Sequence, residues 1–145
     1  MNVLRAIGLG LLPPDATLLT KPEALTFVLE NCWASITYRD FSRGSEYSAF
    51  HRKWFAGSLA VATDRLIAYW GSRRILNVPF SDPRFGELDL SASTDRVVDI
   101  RHDAALFHPT WSGRIQYRYS TREAKAIVAE IKRQSAVQEF SRTGV

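Results

Sequence analysis

Cysteine is nearly absent from this 145-residue sequence, which contains Cys32 alone. A single cysteine can form neither an internal disulfide nor a thiolate metal cluster, so the fold must be stabilised by its core. Such cysteine usage is typical of a reducing compartment, and we expect a cytoplasmic protein. Cys32 has no catalytic motif around it and is expected to pack as a small apolar residue.

Catalytic signatures are also missing. The sequence has no G-x-S-x-G, G-x-x-x-x-G-K, G-x-G-x-x-G or H-E-x-x-H pattern. Its three histidines, His51, His102 and His108, lack the spacing of metal ligands. His102 and Asp103 are adjacent, so a strand would send their side chains to opposite faces. We therefore expect ordinary surface or loop histidines, no catalytic residues, no metal, no cofactor and no enzymatic activity.

No apolar run near the N-terminus is long enough to span a bilayer. The run from Ala6 to Leu12 lacks the cleavage site of a signal peptide. We expect residues 1–32 to form an arm or short helix that packs on the domain, with a peripheral membrane anchor as the alternative. Thr20–Glu23 resembles a capping box and favours a helix through Leu29, although Leu25–Leu29 would also suit a strand.

The charge of the chain is mildly positive, with 19 Lys and Arg against 15 Asp and Glu. The excess lies in residues 101–145, which hold 8 basic and 4 acidic residues. No long Lys/Arg block and no basic–aromatic RNA motif is present, so nucleic acid is not an expected partner. The balance permits contact with anionic lipid or with an acidic protein.

The C-terminal region predicts an amphipathic helix over residues 121–134. Ser120–Glu123 has the pattern of a capping box. The apolar residues that follow recur at i, i+3, i+4 and i+7, which predicts one buried helical face; they are Ala124, Ile127, Val128 and Ile131. Residues 139–145 are expected to form a flexible tail.

Between the two ends the pattern predicts short β-strands. Runs rich in β-branched and aromatic residues alternate with turn sequences and no intervening helix. This favours an antiparallel sandwich or barrel closed by the terminal helix, in one domain over residues 33–138. The predicted strands are 33–41, 47–55, 58–63, 66–70, 75–80, 87–93, 97–101 and 115–119.

Three segments resemble the GRAM and bacterial pleckstrin-homology-like domains. Residues 57–69, GSLAVATDRLIAY, resemble the L-x-V/L-T-x-x-R-L-I hairpin of that family. Residues 75–80, ILNVPF, resemble the next strand, and residues 113–118 resemble the strand that leads into the terminal helix. The resemblance covers roughly residues 33–134 and implies a partly open antiparallel barrel of about seven strands capped by one helix.

Members of this family bind phosphoinositide headgroups, other lipids or proteins, so the resemblance implies a binding module. Phosphoinositide-binding members carry a Lys-x(n)-Lys/Arg-x-Arg pattern around the loop between the first two strands. That pattern is missing here, where the loop offers Arg43, with Arg39, Arg52 and Lys53 on its flanks.

The candidate ligand-binding residues form three groups. Arg52-Lys53-Trp54-Phe55 places cations beside aromatic rings, as at a lipid interface, unless strand alternation sends one ring into the core. Arg73-Arg74, in a predicted turn, could hold a phosphate or carboxylate or remain solvated. Arg43 completes the set as the cation of the first predicted loop.

The loop from Ala104 to Gly113 is the candidate partner-contact surface. It carries Phe107, His108 and Trp111 and is long for a hairpin. The alternative is that its aromatic side chains fold back as a lid over the barrel.

The leading hypothesis is a non-enzymatic module peripheral to anionic membranes. The alternatives are a protein-interaction or self-association domain and a small-molecule carrier with a barrel pocket.

Overall fold

A computed structural model of the chain describes residues 25–143. These residues form seven β-strands, one α-helix and two short 3₁₀ helices, at Pro83–Glu87 and Ala104–Leu106. The strands are β1 (Leu25–Arg43), β2 (Glu46–Ala62), β3 (Arg65–Trp70), β4 (Arg73–Pro79), β5 (Asp89–Thr94), β6 (Val97–Asp103) and β7 (Trp111–Ser120), and the helix is α1 (Ala124–Thr143).

The strands form one antiparallel sheet in the order β4-β3-β2-β1-β7-β6-β5. The sheet curls into a half-barrel, and α1 packs against its strands. The predicted fold class, mostly β with an antiparallel partly open barrel and a C-terminal helix, is confirmed. Strands β4 and β5 lie at the two ends of the strand order, so the half-barrel is open between them.

The first two strands are longer than predicted. The structure joins the two segments predicted at 47–55 and 58–63 into the single strand β2. Strand β1 begins at Leu25, so the preferred helix through Leu29 is wrong for residues 25–29, and the sheet begins before Trp33. The remainder of the predicted N-terminal arm, residues 1–24 with the Thr20–Glu23 pattern, lies outside the described residues.

Long-range pairing explains why residues 25–32 are extended. Leu25 lies opposite Ala62, and Leu29 lies opposite Leu59 at the far end of β2. Two register shifts, between Leu25 and Phe27 and between Leu29 and Cys32, interrupt this ladder. Pairing with residues 30 to 37 positions further along the chain overrides the local capping pattern, because helix propensity is a weak prior against tertiary contacts.

The main core fills the inner face of the half-barrel, where α1 packs. The predicted stripe of α1 is confirmed, since all four of its residues are buried: Ala124, Ile127, Val128 and Ile131. Burying the stripe removes apolar surface from water and contributes most of the stability of the helix. A second buried cluster, on the other face of the β2–β3 hairpin, comprises Leu25, Val28, Ala60, Ala62, Ile67 and Tyr69.

The ends of α1 differ from the prediction. Ser120 is the last residue of β7, so it does not cap the helix. The hydroxyl of Thr121 instead accepts a hydrogen bond of 3.1 Å from the backbone N–H of Glu123. The helix begins at Ala124 and continues to Thr143, so most of the predicted flexible tail is helical.

Candidate functional site

The sequence Arg52-Lys53-Trp54-Phe55 lies on β2, where alternate side chains point to opposite faces. Phe55 is buried in the main core, and Lys53 lies opposite the buried Ile36 of β1. Arg52 lies opposite Thr37, and its Nε donates a hydrogen bond of 2.9 Å to the Thr37 hydroxyl. The four residues are therefore split in pairs between the inner and outer faces of the sheet.

The outer face of the β1–β2 hairpin carries an unusual set of exposed rings. Trp33, Phe50 and Trp54 are 60%, 53% and 53% exposed. Trp33 and Trp54 stack with their ring centroids 5.7 Å apart and their planes 10° from parallel. With Arg39 and Arg52 these rings form the outer row: Trp33, Arg39, Phe50, Arg52 and Trp54.

The two arginines of the outer row lie over its rings. The guanidinium of Arg52 is 5.3 Å from the centroid of Phe50 and 6.0 Å from that of Trp54. The guanidinium of Arg39 lies 5.2 Å from the Phe50 centroid. Each cation is thus held beside an exposed ring by contacts within the usual cation–π range. The outer row presents aromatic and cationic groups to the same side.

The inner face near the end of the hairpin forms a concave cleft of about 210 Å³. Arg43 lies in it, 3.4 Å from Glu46 and 5.6 Å from the centroid of Trp111. Burial raises the pKa of Tyr38 on its wall, while Arg73 and Arg43 act in the opposite direction. The cleft is lined by Tyr38, Phe41, Arg43, Glu46, Tyr47, Ser48, His51, Lys53 and Trp111.

Two more of the predicted ligand-binding residues, Lys53 and Arg73, lie over the ring of Trp70 on the inner side of the sheet. The Lys53 ammonium lies 5.8 Å from its centroid, and the Arg73 guanidinium lies 5.1 Å from it. Both residues of the predicted Arg73-Arg74 turn belong to β4. Arg74 lies apart from this group and borders a depression shared with Phe107 and His108. The six predicted ligand residues therefore do not form one site.

The loop before β7 packs against the domain. The ring of Phe107 meets that of His102 edge-on at 5.0 Å, and the guanidinium of Arg84 lies 4.9 Å from its centroid. Trp111 is the first residue of β7. The centroid of its ring lies 5.3 Å from that of Phe41, edge-on, and 3.6 Å from that of His108, on which it stacks. Both large rings are half-buried, as the alternative interpretation expected, and His108 is exposed. A partner contact through this loop stays a prediction.

His102 is not the surface or loop histidine that was expected, because only 2% of it is exposed. Its Nδ1 lies 2.7 Å from the carbonyl oxygen of Asp103, so this nitrogen carries the proton. Its Nε2 lies 3.2 Å from the Tyr117 hydroxyl and accepts a hydrogen bond from it. Asp103 is exposed, which confirms that the two neighbouring side chains point to opposite faces.

The buried imidazole predicts a pH dependence of stability. Burial lowers the pKa of His102, with a smaller contribution from His108, while the carbonyl and carboxylate of Asp103 act in the opposite direction. The unfolded chain therefore binds a proton at a higher pH than the native protein. We expect the free energy of unfolding to be full above the ordinary histidine pKa of about 6.5 and to fall as the pH drops below it.

Urea unfolding between pH 7.5 and 5.5 measures this effect. Over that range the free energy of unfolding of His102→Gln should fall less than that of the wild type. In His51→Gln, which replaces an exposed histidine, it should fall as much as in the wild type. An identical decline in the wild type and in His102→Gln would contradict the assignment to His102.

Three residues of the outer row, Trp33, Arg39 and Phe50, were missed as ligand-binding residues from the sequence. The sequence contains enough information to include Phe50. Phe50, Arg52 and Trp54 are spaced two residues apart, which predicts that they share one face of a strand. Trp33 joins them through cross-strand pairing, because it lies opposite Ala56 and diagonal to Trp54. Its place depends on the register of β1 against β2.

The described residues contain neither a candidate metal site nor a reactive thiol. Within residues 25–143, no group of three His, Cys, Asp or Glu side chains is placed to hold a metal ion. Burial raises the pKa of the Cys32 thiol to about 12, so the thiol stays protonated at neutral pH. The helices among these residues also include none that is both long and apolar enough to cross a membrane.

No family model matches the chain, and no curated protein is detectably similar to it in sequence.

Proposed function

We propose that this domain is a non-enzymatic binding module that docks on anionic membrane surfaces through the outer row. The observation that carries the proposal is the exposure of Trp33, Phe50 and Trp54, each more than half exposed on one face. Contiguous large rings on a soluble surface usually mark an interaction site. Tryptophan favours the headgroup region of a bilayer, where its apolar body and polar N–H are both accommodated.

The charges of the outer row support an anionic surface. Arg39 and Arg52 lie among the rings, where inserted side chains would meet lipid phosphates. Each cation near an anionic bilayer contributes on the order of 1 kcal/mol. The net charge of the chain, +4, acts in the same direction.

The concave cleft supports a carrier function less well. Its volume of about 210 Å³ is below the 300–1,000 Å³ typical of small-molecule sites. The cation at its rim, Arg43, is already paired with Glu46 at 3.4 Å. A barrel-pocket carrier is therefore not the function that we propose.

A pleckstrin-homology or GRAM-like family membership belongs to the same proposal. It is supported by the seven-stranded sheet, by the terminal helix and by the positions of the resembling segments, which fall on the β2–β3 hairpin, on β4 and on β7. In that family, membrane association and protein binding occur on one scaffold. We propose a cytoplasmic protein, with peripheral membrane association, on this basis.

Co-sedimentation with vesicles tests the membrane proposal. With about 30% phosphatidylserine in phosphatidylcholine, we expect salt-sensitive binding by the wild type. Arg52→Gln should weaken it about fivefold, because one cation near the surface is lost. Trp54→Ser should weaken it about tenfold, because a half-exposed ring no longer enters the bilayer.

The chain supplies matched controls on the inner face. Lys53→Gln removes the same charge one residue from Arg52, and Tyr47→Ser removes an exposed ring that borders the concave cleft. Both should bind vesicles within about twofold of the wild type. If Arg52→Gln and Lys53→Gln weaken vesicle binding equally, binding depends on the net charge of the protein and not on the outer row.

Absence of vesicle binding at low salt would refute the membrane proposal and favour a protein interface. The outer row also has the Trp and Arg composition of interface hot spots. Sedimentation equilibrium of the wild type and of Trp33→Ser would then test self-association, which must weaken in the variant if the row is the contact.

A further inference from the structure

Three arginines from three strands share the outer face, and one of them, Arg39, belongs to the outer row. Arg39 of β1 lies directly opposite Arg114 of β7 in the sheet register. Arg101 of β6 lies opposite Gln116, which is two residues beyond Arg114 and shares its face. The pairing order β1-β7-β6 thus brings the three residues side by side, and all three line one depression.

The Arg39–Arg114 pair is unfavourable by itself. Like charges directly opposite each other on neighbouring strands destabilise a sheet. Within residues 25–143, Arg39 has no carboxylate partner, and its guanidinium lies over Phe50. Arg114 lies 4.0 Å from Asp103, at the limit of an ion pair. An anion between the two arginines would turn this repulsion into attraction.

The donor groups of the three arginines are available. In the described part of the chain, none of their guanidinium groups donates a hydrogen bond to another residue. Arg101 lies 3.7 Å from Asp89 and 3.7 Å from Asp99, too far for a hydrogen bond. Guanidinium forks match the oxygen geometry of phosphate and bind it with two parallel hydrogen bonds.

The patch also has a suitable shape. A depression of about 440 Å³ has room for a phosphate group and part of the molecule that carries it. Gln116 lies at its base and donates to both carboxylate oxygens of the buried Asp99, at 3.0 Å each. The charge of Asp99 also faces Arg101 at 3.7 Å and Arg118 at 4.0 Å. The lining residues are Arg39, Asp89, Arg101, Arg114, Ile115 and Gln116.

We propose that this depression is a phosphate-binding site formed by Arg39, Arg101 and Arg114. Three carboxylates offset part of the charge: Asp89 and Asp99 lie 3.7 Å from Arg101, and Asp103 lies 4.0 Å from Arg114. Arg118, 4.0 Å from Asp99, is a fourth cation, so four arginines and three carboxylates leave a net +1. The site takes a phosphate group that projects between Arg39 and Arg114 and reaches Arg101. It shares Arg39 with the outer row but does not depend on membrane docking, since a lipid phosphate and a soluble phosphate ester offer the same chemistry.

Titration with inorganic phosphate, monitored by ¹H–¹⁵N NMR at constant ionic strength, tests the site. We expect saturable shifts of the Nε–Hε signals of the three arginines. Arg114→Gln should weaken the affinity about tenfold, because a charge-assisted hydrogen bond is lost. Asp89→Asn should strengthen it about threefold, because a competing carboxylate is removed. Arg96→Gln, an exposed arginine in the β5–β6 turn, is the charge-matched control and should bind like the wild type.

The same variants separate the sources of phosphate. Vesicles with equal fractions of phosphatidic acid or phosphatidylglycerol compare an accessible phosphomonoester with a phosphodiester in the bilayer. A preference for phosphatidic acid that Arg114→Gln abolishes would identify the lipid headgroup. Phosphate binding without vesicle binding would retain the site, identify a soluble ligand and refute membrane docking. Vesicle binding without arginine shifts, or equal losses in Arg114→Gln and Arg96→Gln, would overturn the site.

Discussion

Replacing Gly113 with alanine should destabilise the domain by roughly 2–5 kcal/mol, since backbone strain and steric overlap both contribute. Gly113 has φ = +102°, a region that residues with a side chain rarely adopt. A Cβ there would lie 2.5 Å from the carbonyl oxygen of Asp40 and 2.7 Å from that of Arg39. These are backbone atoms of a paired strand, so they have little freedom to move.

Gly44→Ala provides the matched control for this prediction. Gly44 also has a positive φ, +62°, but a Cβ there would meet nothing within 4 Å. It should cost only the conformational term, about 1 kcal/mol. Urea unfolding followed by tryptophan fluorescence gives both values. If the two variants lose equal stability, the close approach of β1 and β7 at Gly113 is wrong.

Replacing Ile127 with alanine should lower the free energy of unfolding by roughly 2–5 kcal/mol. Ile127 is fully buried in the stripe of α1 that packs on the sheet. Its truncation removes apolar contacts and leaves a cavity, because helix and sheet can relax only in part. The loss should appear in the urea midpoint with an unchanged slope.

Lys132→Ala is the control on the opposite side of the same helix. Lys132 is exposed, so its replacement should change stability by no more than about 0.5 kcal/mol. A loss below about 1 kcal/mol in Ile127→Ala would mean that α1 does not close the inner face as described.

Local chemistry was enough to predict most of the architecture. The hairpin turn between β2 and β3 and the stripe of α1 follow from patterns within a few residues, and the structure has both, with the turn at residues 63–64, one residue before the predicted 64–65. Residues 25–29 were assigned to a helix because their strand partner lies at the far end of β2, outside any local window. Helix α1 begins at Ala124 rather than at the predicted residue 121, and pairing with β6 keeps Ser120 in β7.

The candidate sites were predicted less completely because they depend on register. Arg52 and Lys53 are adjacent in the sequence, yet β2 places them on opposite faces. Arg39, Arg101 and Arg114 are far apart in the chain and meet only through the order of β1, β7 and β6. No spacing motif encodes such a group, so the topology had to be known first.

The alternation of β2 also constrains how this protein can diverge in evolution. Phe55 is anchored in the core, so deletion of Lys53 would shift Arg52 and Phe50 by one position and turn both inward. Point substitutions change one group at a time, whereas a change of strand length exchanges whole surfaces. Descendants that keep the outer row should therefore vary in length at the Gly44–Ser45 turn and conserve the number of residues in the arms.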